Sequence, residues 1–156
     1  MRRWFAAGLL SLTLFACDLE LPSRDDPPAE TDAPEPADEL EVALRELGRE
    51  RAPYMILSEA SMRDELDEGG ARDYSQVLYP GWCYKVLGLG GEGVEDLDIR
   101  IYDPNDVLLQ RDTTRDERPY IGRMRPICPV VPGTYRVQVR VVAGSGPYVV
   151  QVYRSI

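Results

Sequence analysis

The sequence of 156 residues contains no histidine. Histidine is the side chain that most often transfers protons near neutral pH, so serine and cysteine hydrolases that use a histidine base are excluded. The three cysteines are also too few for a cysteine-rich zinc site. Nucleic acid is not an expected partner, because phosphate binding needs a clustered basic surface and no stretch of the sequence offers one.

A hydrophobic run long enough to cross a membrane is lacking as well. The mostly apolar stretch at residues 4–15 is too short, because a membrane-spanning helix needs roughly 20 such residues. It follows an arginine pair and ends at Ala16-Cys17, which is the arrangement of a secretory signal. Residues 1–16 are predicted to be that signal, and the chain from Cys17 onward is predicted to be exported.

The end of the signal, Leu14-Phe15-Ala16-Cys17, resembles the lipobox of bacterial lipoproteins. The resemblance implies that the Cys17 sulfur carries a diacylglycerol, with acyl chains such as palmitate, that anchors the protein to the outer or inner membrane of the cell envelope. Phe15 departs from the family pattern, which prefers a smaller residue at that position. The alternative is an ordinary signal peptide followed by an incidental cysteine.

The formal net charge of −9 is concentrated in the first half of the chain, since residues 18–70 carry 17 acidic and 5 basic side chains. Residues 17–37 combine five prolines with acidic residues, a composition that predicts a disordered tether. Residues 38–52 are predicted to form a short helix capped by Asp38, because Leu40, Leu44 and Leu47 fall on one helical face.

From residue 54 to residue 156 the sequence predicts an all-β domain, an antiparallel β-sandwich. Short alternating runs are separated by turn residues such as Asp103-Pro104-Asn105-Asp106. Strands are expected at residues 54–58, 74–79, 82–87, 97–102, 107–110, 135–141 and 148–153, with a helical turn at 62–68 and a flexible glycine-rich loop at 88–93. That loop fits G-x-G-x-x-G, but a strand follows it where a dinucleotide site needs a helix.

Cys83 and Cys128 are the cysteines that remain if Cys17 is lipidated. An exported protein lies in an oxidising compartment, where a disulfide between two such cysteines is the expected state. Two buried free thiols are the alternative.

Three segments resemble motifs of the pre-peptidase C-terminal domain family, small sandwiches found in exported bacterial proteins. They are Leu97-Asp98-Ile99-Arg100-Ile101-Tyr102-Asp103-Pro104, Gly133-Thr134-Tyr135-Arg136-Val137 and Pro147-Tyr148-Val149-Val150. The resemblance covers about residues 66–156 and implies a jelly-roll-like sandwich, although the cysteine pair is not general in the family. Some members bind calcium in loops, which makes Glu95, Asp96, Asp98 and Asp103 candidate calcium ligands, whereas acidic side chains solvated in turns are the favoured interpretation. No other cofactor is expected.

Four side chains in the β region are candidates for a binding face, namely Trp82, Arg100, Arg136 and Arg140. An aromatic ring stacks on sugars and arginines bind anions, although such residues also pack cores and cover sheet surfaces. The sequence therefore predicts a non-catalytic cell-envelope lipoprotein whose sandwich binds a protein or glycan partner. The alternatives are a structural or assembly-chaperone lipoprotein of an envelope complex and, less favoured, a carboxylate-dependent hydrolase.

Overall fold

The computed structural model describes residues 39–156, and the predicted signal, Cys17, the tether and Asp38 lie outside the described residues. Within this range one helix precedes nine strands. They are α1 Glu39–Arg51, β1 Met55–Leu57, β2 Met62–Leu66, β3 Ala71–Leu78, β4 Tyr84–Gly90, β5 Val94–Tyr102, β6 Leu108–Arg111, β7 Tyr120–Ile121, β8 Gly133–Gly144 and β9 Gly146–Ser155.

The strands form two antiparallel sheets that pack face to face. Sheet A has the order β1-β9-β4-β7, with β2 also paired to β9, and sheet B has the order β3-β8-β5-β6. Strand β8 buries Tyr135, Val137, Val139 and Val141 in the core and turns the residues between them outward. The predicted all-β, antiparallel sandwich is therefore confirmed.

Helix α1 covers the outer face of sheet A. Strand β9 is buried on both faces for this reason: Val150 and Val152 enter the core between the sheets, whereas Val149 and Tyr153 pack beneath the helix. Leu44 of the helix is completely buried in this second apolar layer. The helix so predicted is present and docked on the domain.

A chain of buried hydrogen bonds also ties the helix to sheet A. The Tyr153 hydroxyl donates to Gln151 Oε1, and Gln151 Nε2 donates to the Ser61 hydroxyl. The Ser61 hydroxyl donates in turn to Glu41 Oε1 on the helix, a bond that holds the pKa of Glu41 below its ordinary value. Gln151, a fully buried polar side chain, is thereby satisfied on both its oxygen and its nitrogen.

Two sequence-based predictions of local structure are wrong. The predicted helical turn at 62–68 is strand β2, which pairs with β9 far along the chain. The predicted flexible loop at 88–93 is strand through Gly90. Two of its glycines, Gly88 and Gly90, lie against the segment 112–119, since a Cβ on Gly88 would lie 2.7 Å from Pro119 Cγ and one on Gly90 would lie 3.2 Å from Glu117 Cβ.

Cys83 and Cys128 form the predicted disulfide, at a sequence separation of 45. Cys83 precedes β4, and Cys128 follows Ile127, whose backbone pairs with Tyr84 by hydrogen bonds in both directions. The bond fastens the irregular segment 122–132 to the start of β4.

Candidate functional site

Three of the four predicted binding residues lie together on the outer face of sheet B. Arg100 on β5 stands beside Gln138, and Arg136 and Arg140 on β8 stand beside Tyr102 and Asp98. All three alternate with buried residues and therefore point away from the core. Trp82 is not among them, because it lies in the turn that precedes β4 of sheet A.

Arg136 is occupied by contacts within the domain. Its guanidinium binds the carboxylates of Asp73 and Asp106 and lies 3.8 Å from the centre of the Tyr102 ring. The hydrogen bond to Asp106 is the main cause that raises the pKa of Arg136. Arg136 thus joins β3, β8 and the turn after β5 and is not open to a partner.

Trp82, which is 37% exposed, also has neighbours within the domain. The Arg154 guanidinium lies 4.2 Å from its ring centre, and Tyr79 packs edge-on at 6.1 Å. A sugar stacks on an open aromatic face, and the arginine occupies one face of this ring. The structure therefore does not bring Trp82 and the three arginines into a shared binding face.

The four residues predicted to bind calcium are not assembled into a site. Asp103 ends β5 and caps the following turn, where its Oδ1 accepts hydrogen bonds from the N–H groups of Asn105 and Val107. Asp98 lies five residues earlier on the extended strand, a separation of about 16 Å. No group of three or more metal-ligating side chains occurs within residues 39–156, and calcium binding stays a prediction.

Asp96 has an unusual environment near the start of β5. Its Oδ1 is buried without a hydrogen-bond partner, and burial, followed by the nearby Asp112 and Asp116, raises the pKa of its carboxyl. Asp112 uses both oxygens to hold its own loop, accepting from Thr114 and from the Tyr120 N–H. These hydrogen bonds fix the position of the Asp112 carboxylate within the loop.

Exposed aliphatic side chains gather at one end of the sandwich, which we call the loop end and define by residues 79–83, 103–107 and 122–132. Met124 is 90% exposed and Val130 is 89% exposed. A cavity of about 390 Å³ opens between the 103–105 turn and the 127–132 segment, with Leu109 in its wall. The disulfide, Pro129 and Pro132 restrict the backbone that carries these side chains.

An arginine-lined cavity of about 300 Å³ adjoins this apolar surface. Arg111, Arg123 and Arg125 line it together with Met124. None of the three guanidinium groups has a carboxylate within salt-bridge distance in the part of the chain that the structure describes. Segment 122–132 thus contributes to both cavities and contains no acidic residue.

The described domain begins at the opposite end of the sandwich. Glu39 and Leu40 lie beside Gly91, Glu92 and Pro147, where β4 ends and β9 begins. Helix α1 runs from there toward the loop end, and the backbone carbonyl of Arg51 at its end accepts a hydrogen bond from Lys85. The chain that precedes residue 39 therefore joins the domain at the end that is remote from the exposed aliphatic surface.

The sequence-based prediction missed the arginine-lined cavity and the aliphatic surface. A signal was available in the run from Arg123 to Pro132, which is basic and apolar without a single acidic residue. Such a run differs from the rest of the chain, whose net charge is −9.

The sequence matches no protein-family model and no curated protein. Among solved structures, it is similar to the crystal structure of Aeromonas hydrophila PliG, a periplasmic lysozyme inhibitor of g-type lysozyme. The two are 14% identical, with a TM-score of 0.44 over 62% of this chain and 85% of that chain, a likeness too slight to transfer that activity. Within residues 39–156 no helix has the length and apolarity needed to cross a bilayer.

Proposed function

We propose that this protein is a non-catalytic lipoprotein of the bacterial cell envelope whose sandwich binds another protein at the loop end. One observation carries the proposal: a disulfide-braced segment holds Met124, Val130 and Val131 in solvent at the end remote from residue 39. If Cys17 carries the lipid, the anchored chain joins the domain at the end opposite this surface. The exposed aliphatic groups are then placed for a partner in the envelope space.

The chemistry of the surface favours a protein over a glycan. Aliphatic side chains bury against apolar protein surface, whereas sugar recognition relies on open aromatic faces. Trp82 and Tyr102 each carry an arginine on one ring face. An assembly-chaperone role would use the same protein-binding surface and differs only in the lifetime of the complex.

Site-specific photo-crosslinking of the full chain in its native host tests the proposal. A photoreactive residue at Val131 is expected to give one adduct of defined mass that a protease removes. The same residue at Glu92, which is exposed at the other end, is the control and is expected to give none. Equal adducts at both positions would contradict the proposal, and an adduct removed by glycan-digesting enzymes would replace it with glycan binding.

Membrane attachment is tested separately. Cys17→Ala is expected to leave the protein unprocessed or to release it from the detergent phase, because stable anchoring requires more than one acyl chain and this cysteine would supply them. Fractionation of the processed C17A protein with membranes would overturn the lipid anchor while leaving the binding surface untouched.

A further inference from the structure

The arginine-lined cavity brings together three exposed arginines that have no ion pair with a carboxylate of the described domain. Residues 39–156 carry 15 basic and 19 acidic side chains, and at least six of the fourteen arginines there form an ion pair with a carboxylate. Examples are Arg45 with Glu41, Arg72 with Asp64 and Arg118 with Glu117. Three neighbouring exposed arginines without such a partner repel one another, so an acidic ligand placed among them would relieve that repulsion.

The walls of the cavity are held in place before any ligand arrives. The Gln110 side chain donates to the Arg125 carbonyl and accepts from the Gly122 N–H, which fixes the segment that carries Arg123 and Arg125. Asp112 fixes the other wall through its hydrogen bonds to Thr114 and Tyr120. Asp112 is itself a negative charge at the cavity, but its oxygens accept these three hydrogen bonds and bind none of the arginines.

Guanidinium groups bind carboxylates through paired hydrogen bonds in a planar fork. Met124 stands between two of the arginines in sequence, and the aliphatic Val130 and Val131 lie on the same segment. A ligand that satisfies both halves of this surface carries a carboxylate next to an apolar side chain. We propose, building on the function above, that Arg111, Arg123 and Arg125 receive a glutamate or aspartate side chain from an acidic, partly apolar segment of the protein partner.

The test uses the full chain in detergent and a labelled peptide with the repeat Leu-Glu-Glu, with the Leu-Gln-Gln peptide as its neutral counterpart. Fluorescence anisotropy at low ionic strength is expected to show binding of the glutamate peptide alone. R111Q/R123Q/R125Q is expected to weaken this binding at least about tenfold, because charge-assisted hydrogen bonds are lost. R49Q/R72Q/R140Q removes the same number of charges from exposed positions elsewhere and is expected to leave binding within about twofold.

Several outcomes would overturn the inference. The first is that the glutamate peptide does not bind to the unaltered protein, and the second is that both triple variants lose peptide binding equally. The third is that inorganic phosphate or anionic vesicles displace the peptide at a lower concentration than unlabelled peptide does. Circular dichroism of each variant establishes that it is folded. The crosslink from Val131, measured in R111Q/R123Q/R125Q and in the unaltered protein, separates this inference from the proposed function. If the unaltered protein does not bind the peptide but the crosslink forms in full, only the carboxylate site is refuted. If the unaltered protein forms no crosslink, the protein-binding function is refuted.

Discussion

At the end of the sandwich where the described chain begins, the strands turn through closely packed glycines, whereas at the loop end they are joined by proline-containing segments and a disulfide. A Cβ on Gly144 would lie 2.1 Å from the Gly93 carbonyl oxygen, and one on Gly146 would lie 2.3 Å from that of Glu92. The loop end instead leaves Met124 and Val130 almost fully exposed. The glycine-rich end is determined by close packing within the domain. The loop end instead holds exposed apolar side chains in fixed positions, although they contribute little to the packing of the domain.

The largest expected effect on stability comes from removing the disulfide of the loop end. C83A/C128A opens a loop of 45 residues in the unfolded chain, and the chain-entropy treatment assigns about 4 kcal/mol to its closure. Chemical denaturation without reductant is expected to show a loss of this size, together with a lower yield of the Val131 adduct. Equal stability of the two proteins would mean that the disulfide is not needed to hold the segment 122–132.

At the opposite end, Gly144→Ala is expected to cost about 2–4 kcal/mol. The φ of Gly144 is +81° and the added Cβ meets backbone atoms of residues 93 and 95, so backbone strain and steric overlap add together. Gly69→Ala is the matched control, because φ is +80° there but no atom lies within 4 Å of the added Cβ. It is expected to cost only about 1–2 kcal/mol. Similar losses in both variants would show that close packing is not what distinguishes this turn.

V130D/V131D tests whether the exposed valines of the loop end contribute to binding and not to folding. Both side chains are exposed, and substitutions at such positions usually change stability by less than about 0.5 kcal/mol. The variant is therefore expected to keep its unfolding midpoint and to abolish the crosslink from a probe at Met124. A large loss of stability would instead assign these valines to the folding of the domain.

The sequence indicated the central strands well because their residue pattern is local. Strand β8 alternates buried and outward residues along its length, which is the pattern of a half-buried strand. The burial of β9 on both of its faces is explained by the helix that packs on its second face. Strand β2 was missed because its pairing partner, β9, is remote in the sequence and a run as short as Met62–Leu66 has little pattern of its own.

The candidate site was less predictable than the fold for a physical reason. Arg136 alternates outward as expected, yet whether it is free depends on Asp73 and Asp106, which come from two other parts of the chain. Arg111, Arg123 and Arg125 are drawn together by the folding of 112–125 across the side of the sandwich. The ion pairing and the solvent exposure of a side chain depend on the tertiary structure, so neither can be predicted from a single sequence.

The smallest expected effect lies near the glycine-rich end, at Asp96. Its Oδ1 is buried without a partner, and burial together with Asp112 and Asp116 raises the pKa of the carboxyl. A raised pKa means that the folded protein favours the protonated form, so the charged carboxylate destabilises the fold above that pKa and ceases to do so as the pH falls below the ordinary range of aspartate. Asp96→Asn is therefore expected to raise the Tm at pH 7, by less than C83A/C128A or Gly144→Ala lowers it.

Measuring the Tm of D96N as a function of pH is the control for this last prediction. The gain in Tm from D96N is expected to shrink as the pH is lowered, because the carboxyl of the unaltered protein then becomes neutral as well. Glu92→Gln removes one exposed negative charge from the same end and is expected to show no comparable gain. A D96N gain that is independent of pH would attribute the effect to packing, and a loss of stability at pH 7 would mean that the buried carboxylate is stabilised by a partner such as bound water.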